Sequence, residues 1–364
     1  MLFCGADAFS IYSLRALHKL QQANPEKIES IDVVCRPDKR VGRGLKKIQE
    51  GLYHPKNYTS LAGYTLTQLT NTISKTVPIK PVATSLSLPV HQIDTFTSWT
   101  PPTPSPPNLI VTVSFGLLVP SRILNSATYG GLNIHPSLLP DLRGPAPLQH
   151  ALLRRRSHTG VSLQTMHPTK FDHGVVLAQT PSPGLPIPDD ATPQSLLETL
   201  GPLGAEMLVR GIQENLFIPP FNNASQAPTT HQPVHAPKIT PSDREILWSS
   251  QPSSEILLRD RVLGRLWDGS IWARTNLDAG KWEGKHQALR ATFEGPWRVT
   301  SGIEGLEPGT PFLAHKVSTG VDEIRFATCD GRAVVPGGMT QEGGKKGVGL
   351  GLLAEQIKEH EEGF

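Results

Sequence analysis

The chain has 364 residues, 37% of them apolar, which is enough to bury a full core and, at this length, to make two domains. Proline, at 34 residues, is about twice its usual share and points to loops and linkers over long helices, and a net charge of +3 permits a nucleic-acid partner without demanding one. Three scattered cysteines, Cys4, Cys35 and Cys329, exclude a disulfide framework, and no apolar run approaches the roughly 18 residues of a membrane span.

Taken in order, Met1 to Gly5 reads as a short buried strand, Leu14, Leu17 and Leu20 recur at helical spacing between Phe9 and Gln21, and Ile31 to Cys35 is the next apolar run. Strand, helix, strand at this spacing is a βαβ unit and predicts a parallel sheet. The segment from Arg36 to Lys47 then carries Arg36, Lys39, Arg40, Arg43, Lys46 and Lys47 with one acid, Asp38, and two glycines. Clustered Arg and Lys on a glycine-loosened loop neutralise phosphates and can follow an RNA backbone; a solvated charged loop fits the same composition. Residues 51–76 sustain neither strand nor helix periodicity. Leu88 to Gln92 reads as a strand and Trp99 to Pro107 as a proline-rich loop. Leu109 to Val113 is a buried strand, and the turn Ser114 to Pro120 behind it has an apolar lining and a glycine, Gly116. Ligands of open α/β sheets sit outside the carboxyl ends of strands.

The densest chemistry follows. Leu132 to His135 is bounded by Gly131 and Pro136 and reads as the end of a strand, so Asn133 and His135 share a face. A carboxamide N–H can hold the oxygen of a carbonyl becoming tetrahedral, and an imidazole can take up the proton that an attacking amine loses; the same pair, alone, also fits a hydrogen-bonded turn. Pro147 to Arg156 reads as a helix ending in three arginines, Thr159 to Met166 as a strand, and Lys170 to Gly174 as a loop in which Asp172 alone is an ordinary turn residue. Thr192-Pro193 caps the next helix, whose apolar stripe is interrupted at Gly201-Pro202. Pro219 to Pro233 has the composition of a linker. A helix from Ser253 to Leu263 precedes short alternating runs around Ile271-Trp272, His286 to Ala291, Trp297 to Thr300, Ala314 to Val317 and Ile324 to Thr328, the pattern of a small barrel.

Asn133-Ile134-His135-Pro136-Ser137-Leu138-Leu139-Pro140 resembles the signature of enzymes that transfer a formyl group from 10-formyltetrahydrofolate, and Arg143-Gly144-Pro145-Ala146-Pro147-Leu148-Gln149 is similar to the run that follows it in methionyl-tRNA formyltransferases. Phe3 to Phe9 is similar to the opening of that family, and His235 to Ile239 with Ile246 to Trp248 to the start of its C-terminal domain, although Leu266-Trp267-Asp268 stands where a Pro-Trp is expected. The resemblance implies an α/β architecture: a Rossmann-like parallel-sheet domain over residues 1–218 with an atypical insertion at 51–76, a linker at 219–237, and a small OB-like barrel over 238–350 that binds tRNA. The insertion is either a loop particular to this chain or an untrimmed intron.

The same resemblance implies roles. Asn133 holds the oxyanion, His135 handles protons, and Asp172 completes the set by orienting the histidine. Phe115, Gly116, Leu117 and Leu118 line the pterin side of the folate crevice, and Ser137, Leu138, Leu139 and Pro140 its other wall. The segment bearing Arg36, Lys39, Arg40, Arg43, Lys46 and Lys47 grips the acceptor end of initiator tRNA, with Arg43 as its key arginine, and Lys345 with Lys346 forms a late basic loop. The expected cosubstrate is 10-formyltetrahydrofolate, with no metal, no membrane and a monomeric state. Phe171-Asp172-His173-Gly174 departs from the bacterial Leu-Asp-Thr-Gly pattern toward organellar versions; a mitochondrial matrix enzyme is expected, its targeting segment lying outside this sequence and its natural start upstream of Met1. Two alternatives stay open. A formyltransferase for a small amine, such as a nucleotide sugar or purine precursor, needs the three reactive residues but neither basic loop nor barrel; a non-catalytic RNA- or folate-binding protein needs the loop but not all three.

Overall fold

The computed structural model describes residues 1–38, 40–41, 46–47, 76–102, 106–225, 232–271, 290–316 and 321–362, in two compact units, Met1–Lys238 and Ile239–Phe364. In the first unit β1 (Leu2–Gly5) leads into α1 (Ala8–Ala23), capped by Asp7, whose carboxylate accepts from Ser10 N at 3.1 Å. Then come β2 (Asp32–Cys35), the short antiparallel pair β3 (Arg40–Val41) and β4 (Lys46–Lys47), α2 (Ile79–Ser85), β5 (Val90–Gln92), β6 (Ile110–Val113), α3 (Ser121–Leu124) and β7 (Gly131–His135). The unit continues with α4 (Pro147–Leu153), β8 (His158–Thr159), β9 (Ser162–Thr165), β10 (Val176–Gln179), β11 (Leu185–Pro186) and α5 (Pro193–Gln213).

The central sheet runs β10-β9-β7-β6-β1-β2-β5. From β5 to β7 the strands are parallel, as the βαβ reading predicts, and their order reverses at β1 and β6, the switch point at which open sheets bind ligands. At the other edge the sheet turns mixed: β9 is antiparallel to β7, and β10 to β9. Parallel neighbours need a long crossover. Only residues 166–175 join β9 to β10, so they form a hairpin, and Ser162 at the start of β9 lies beside His135 at the end of β7.

The helix whose apolar stripe is interrupted at Gly201-Pro202 is one element, since α5 runs through Pro202. Pro202 is on the exposed side, while a Cβ at Gly201 would stand 2.4 Å from the Tyr12 ring, so the glycine brings α5 close onto α1 and packing holds the helix together. Thr192 caps it as predicted, exchanging bonds with Ser195.

The second unit begins with a 3-10 turn (Ser242–Arg244) and α6 (Ser253–Leu263), followed by β12 (Trp267–Asp268), β13 (Ala291–Glu294), β14 (Arg298–Ser301), β15 (Pro311–Lys316), β16 (Val321–Ala327), β17 (Arg332–Val335), β18 (Gly338–Gln341) and α7 (Gly349–Glu362). Of the expected OB-like barrel, the described residues show two separate antiparallel sheets, β12-β13-β18 and β14-β17-β16-β15. The physical cause is a pair of prolines. Pro296 divides β13 from β14 and Pro336 divides β17 from β18 at the same level, since Glu294 pairs with Gly338 and Arg298 with Val335; a residue without an N–H interrupts a ladder. One core still joins both sheets and both helices, with Trp248 stacked on Phe326 at 5.5 Å and its Nε1 donating to Asp268 Oδ2 at 2.8 Å. Of the predicted strands, Trp272, residues 286–289 and Val317 lie outside the described residues.

Candidate active site

The site is assembled on one face of the sheet. Asn133 and His135 alternate with Leu132 and Ile134, which are buried on the opposite face. Thr112 of β6 and Gln164 of β9 pair in register with Asn133 on either side, so the three side chains form a cross-strand row. The loop between β9 and β10 folds back over this row and delivers Asp172.

Asp172 is the hub. Its Oδ1 accepts from Asn133 Nδ2 at 3.2 Å and from Gln164 Nε2 at 3.1 Å, and lies 3.5 Å from His135 Nδ1. Its Oδ2 accepts from Gly144 N at 2.9 Å, and Arg143 Nε donates to its backbone carbonyl at 2.7 Å. The backbone of Asp172 is left-handed, with φ 55°, held there by those bonds and by Gly174, which packs directly against the Thr165 carbonyl. His135 is 5% exposed, and its Nε2 is 2.9 Å from Leu142 O. A carbonyl only accepts, so Nε2 carries the hydrogen, and Nδ1, facing Asp172, is the nitrogen at which a proton can come and go. At the nearby switch point, burial pushes the Asp7 carboxyl up to about 6, against the opposing bonds from Ser10 and Ser114.

The expected folate-lining residues divide into two groups. Leu117 and Leu118 are half-buried and border a cavity of about 270 Å³ with Phe96 and Pro120; Gly116 is exposed at φ 76°; Leu138 and Pro140 are half-buried. Phe115, Ser137 and Leu139 face inward instead: Phe115 packs edge-on against Phe96 at 5.9 Å, Ser137 Oγ donates to Asp141 O at 2.7 Å, and Leu139 is 1% exposed. Of the expected RNA-contacting residues, Arg36 has Nη2 4.0 Å from Asp94 Oδ1, and Lys345 and Lys346 are exposed in a turn of the second unit. Arg40, Lys46 and Lys47 lie on the β3–β4 pair, Arg40 opposite Lys47. Lys39 and Arg43 lie outside the described residues, as does the expected insertion at 51–76 apart from Thr76. Among the described residues no group of three or more His, Cys, Asp or Glu side chains is arranged to hold a metal ion.

Sequence reasoning missed Thr112 and Gln164, and gave Arg143 and Gly144 no role. The signal for Gln164 was its place beside Ser162 on alternate positions of a strand whose other face carries Leu163: a carboxamide on a buried strand face must find partners. Residues 234–236, inside the stretch expected as a linker, run along the loop behind the site, with Val234 O accepting from Leu142 N at 2.8 Å, Ala236 N donating to Arg143 O at 2.7 Å and Val234 N donating to Asp141 Oδ1 at 2.9 Å.

Residues 103–212, which carry β6, β7, β9 and the Asp172 loop, match the family model described as Formyl transferase. Fold, site and match together define a formyl transferase. The chain is 35% identical over 289 residues to the mitochondrial methionyl-tRNA formyltransferase of Saccharomyces cerevisiae, an alignment covering 73% of this chain and 68% of the yeast protein. It is 30% identical to the mitochondrial methionyl-tRNA formyltransferase of Bos taurus over 73% of this chain, spanning 57% of the bovine protein, and 28% identical to the methionyl-tRNA formyltransferase of Listeria innocua over 92% of this chain and 89% of that protein. The chain belongs to the methionyl-tRNA formyltransferase family.

Proposed function

We infer that this chain transfers a formyl group from 10-formyltetrahydrofolate to the α-amine of methionyl-initiator tRNA. The observation that carries the reading is the convergence of Asn133 Nδ2 and His135 Nδ1 on one carboxylate oxygen of Asp172, in a chain whose relatives are named for that reaction. The folate is a substrate that supplies the formyl group. As the amine nitrogen attacks the formyl carbon, the Asn133 amide donates to the oxygen that gains charge. The proton released by the amine passes to the His135–Asp172 pair at Nδ1 and is returned to folate N10 as its bond to the formyl carbon breaks and the carbonyl re-forms. Half-buried Leu117 and Leu118 and the open volume beside them support folate on that side of the crevice. The basic segment from Arg36 to Lys47 and the turn at Lys345 and Lys346 supply the charge that a tRNA backbone requires. A monomer in the mitochondrial matrix is the setting we propose, supported by the mitochondrial names of the yeast and bovine relatives.

The test is formyl transfer from 10-formyltetrahydrofolate to methionyl-initiator tRNA by the full chain and by Asn133→Ala. Turnover by Asn133→Ala is expected to fall by about 100 to 1000-fold, and kcat/KM for tRNA to fall steeply with salt. Equal turnover by the variant would overturn the site, a flat salt response would remove the tRNA contacts, and transfer to small amines alone would reassign the acceptor.

A further inference from the structure

We propose that Thr112 is a positioning residue that sets which end of the Asn133 carboxamide faces the reacting carbonyl. The proposal rests on the reading of Asn133 as the oxyanion donor. Thr112, Asn133 and Gln164 are direct cross-strand neighbours on β6, β7 and β9, a polar row whose strand neighbours Val111, Val113, Leu132, Ile134 and Leu163 are buried apolar residues.

The direction of each bond follows from what the partners can do. A carboxylate only accepts, so the Asn133 atom that lies 3.2 Å from Asp172 Oδ1 is the amide nitrogen. The amide oxygen therefore points the other way, at Thr112 Oγ1, 2.9 Å off, and the hydroxyl donates. A hydroxyl has one hydrogen, and the other acceptors within reach, Leu132 O at 3.4 Å and Met166 Sδ at 3.7 Å, are longer. The amide nitrogen carries two hydrogens. Asp172 takes one, and the second remains for the oxygen of the formyl group.

Gln164 obeys the same logic on the other flank: its nitrogen faces Asp172 Oδ1, and its oxygen accepts from Gly174 N at 3.3 Å. Asn133 is thus clamped between a donor on β6 and an acceptor on the Asp172 loop. Without the Thr112 hydroxyl, Asn133 Oδ1 lies in a largely buried row with an unmet acceptor, which is costly. A full flip would set that oxygen against the Asp172 carboxylate. The carboxamide relieves both by rotating out of the row, and the rotation withdraws the N–H from the formyl oxygen.

The experiment is a double-mutant cycle on the full chain with methionyl-initiator tRNA and 10-formyltetrahydrofolate. Thr112→Val, which keeps shape and removes the hydroxyl, is expected to lower kcat about tenfold or more with both KM values within about twofold. Thr112→Ser is expected to restore kcat to within about threefold of the parent, and Thr112→Val is expected to add no further loss to Asn133→Ala. Parental turnover in Thr112→Val while Asn133→Ala is impaired overturns the proposal and leaves the active site standing; so does a loss that multiplies with that of Asn133→Ala. Full turnover by Asn133→Ala sinks the oxyanion reading itself. A second readout needs no acceptor: in protein labelled with nitrogen-15 at asparagine, the Asn133 side-chain amide resonance is expected to move in Thr112→Val and to hold in Thr112→Ser, and an unmoved resonance in Thr112→Val overturns the orientation. If Thr112→Val fails to fold, Thr112→Ala carries the same comparisons.

Discussion

Gly174→Ala is expected to disable the enzyme far more than it unfolds it. A Cβ at this position would lie 1.6 Å from the Thr165 carbonyl oxygen and 2.5 Å from the carbonyl carbon, where ordinary contact begins at 3.4 Å, so one backbone must retreat by roughly 2 Å. Thr165 is the anchored side. It pairs with Leu132 across β7 and β9, its N donates to Val175 O at 2.9 Å, and its Oγ1 accepts from Val175 N at 2.9 Å. The displacement therefore falls on Asp172 to Gly174, where it also stretches the bond from Gly174 N to Gln164 Oε1. A misplacement of about 1 Å at a reacting group costs on the order of 100-fold in rate, and overpacking costs about 1–3 kcal/mol of stability. Steady-state formyl transfer beside thermal unfolding by circular dichroism separates the two: kcat should drop by about 100-fold or more in a protein that still melts cooperatively. A variant that turns over within about threefold of the parent would refute the claim that this glycine sets the position of Asp172.

Two further outcomes follow from the same geometry. Gln164→Glu sets a second carboxylate against Asp172, whose Oδ1 is 3.1 Å from the amide nitrogen it replaces; like charges raise one another's affinity for protons, so this variant should lose stability as pH rises through the acid range, whereas Gln164→Leu should lose about 1–3 kcal/mol at every pH through the bonds it abandons. Melting curves across pH distinguish them. For Asp7, burial pushes the folded carboxyl from 3.8 to about 6, so between those values the folded state holds more protons than the unfolded one and stability falls as pH rises. Asp7→Asn keeps an acceptor for Ser10 N and removes the charge; its melting temperature should gain on the parent's as pH rises from 4 to 6 and exceed it above pH 6. A parent and variant with superimposable pH profiles would refute this.

What could be read in the chain was what is local. Asn133 and His135 were legible as a pair because period-two alternation and the stop at Pro136 lie within a few residues, and α6 was legible from its flanking proline and glycine. Asp172 was legible only through resemblance, since a turn aspartate says nothing about the strand it will fold across. Thr112 and Gln164 acquire meaning only once β6, β7 and β9 are set side by side, and cross-strand register is not a local property. The need for glycine at position 201 of α5 likewise comes from Tyr12, a residue of another helix. The two prolines that divide the second unit's sheets were in plain view, but their effect comes from standing at one level on paired strands.

The pinned stretch Val234–Ala236 has a mechanical consequence. It lies just before Pro237 and Lys238, which end the first unit, and it is tied to the peptides at Leu142 and Arg143 and to the Asp141 carboxylate. Tension applied through Ile239 meets the bond that His150 Nε2 on α4 donates to Pro237 O at 2.9 Å and then the loop whose Arg143 and Gly144 hold Asp172. Cutting the polypeptide where its composition looks most dispensable, before residue 232, would leave Leu142 N and Arg143 O without these partners, whereas a cut after Lys238 would leave the loop braced.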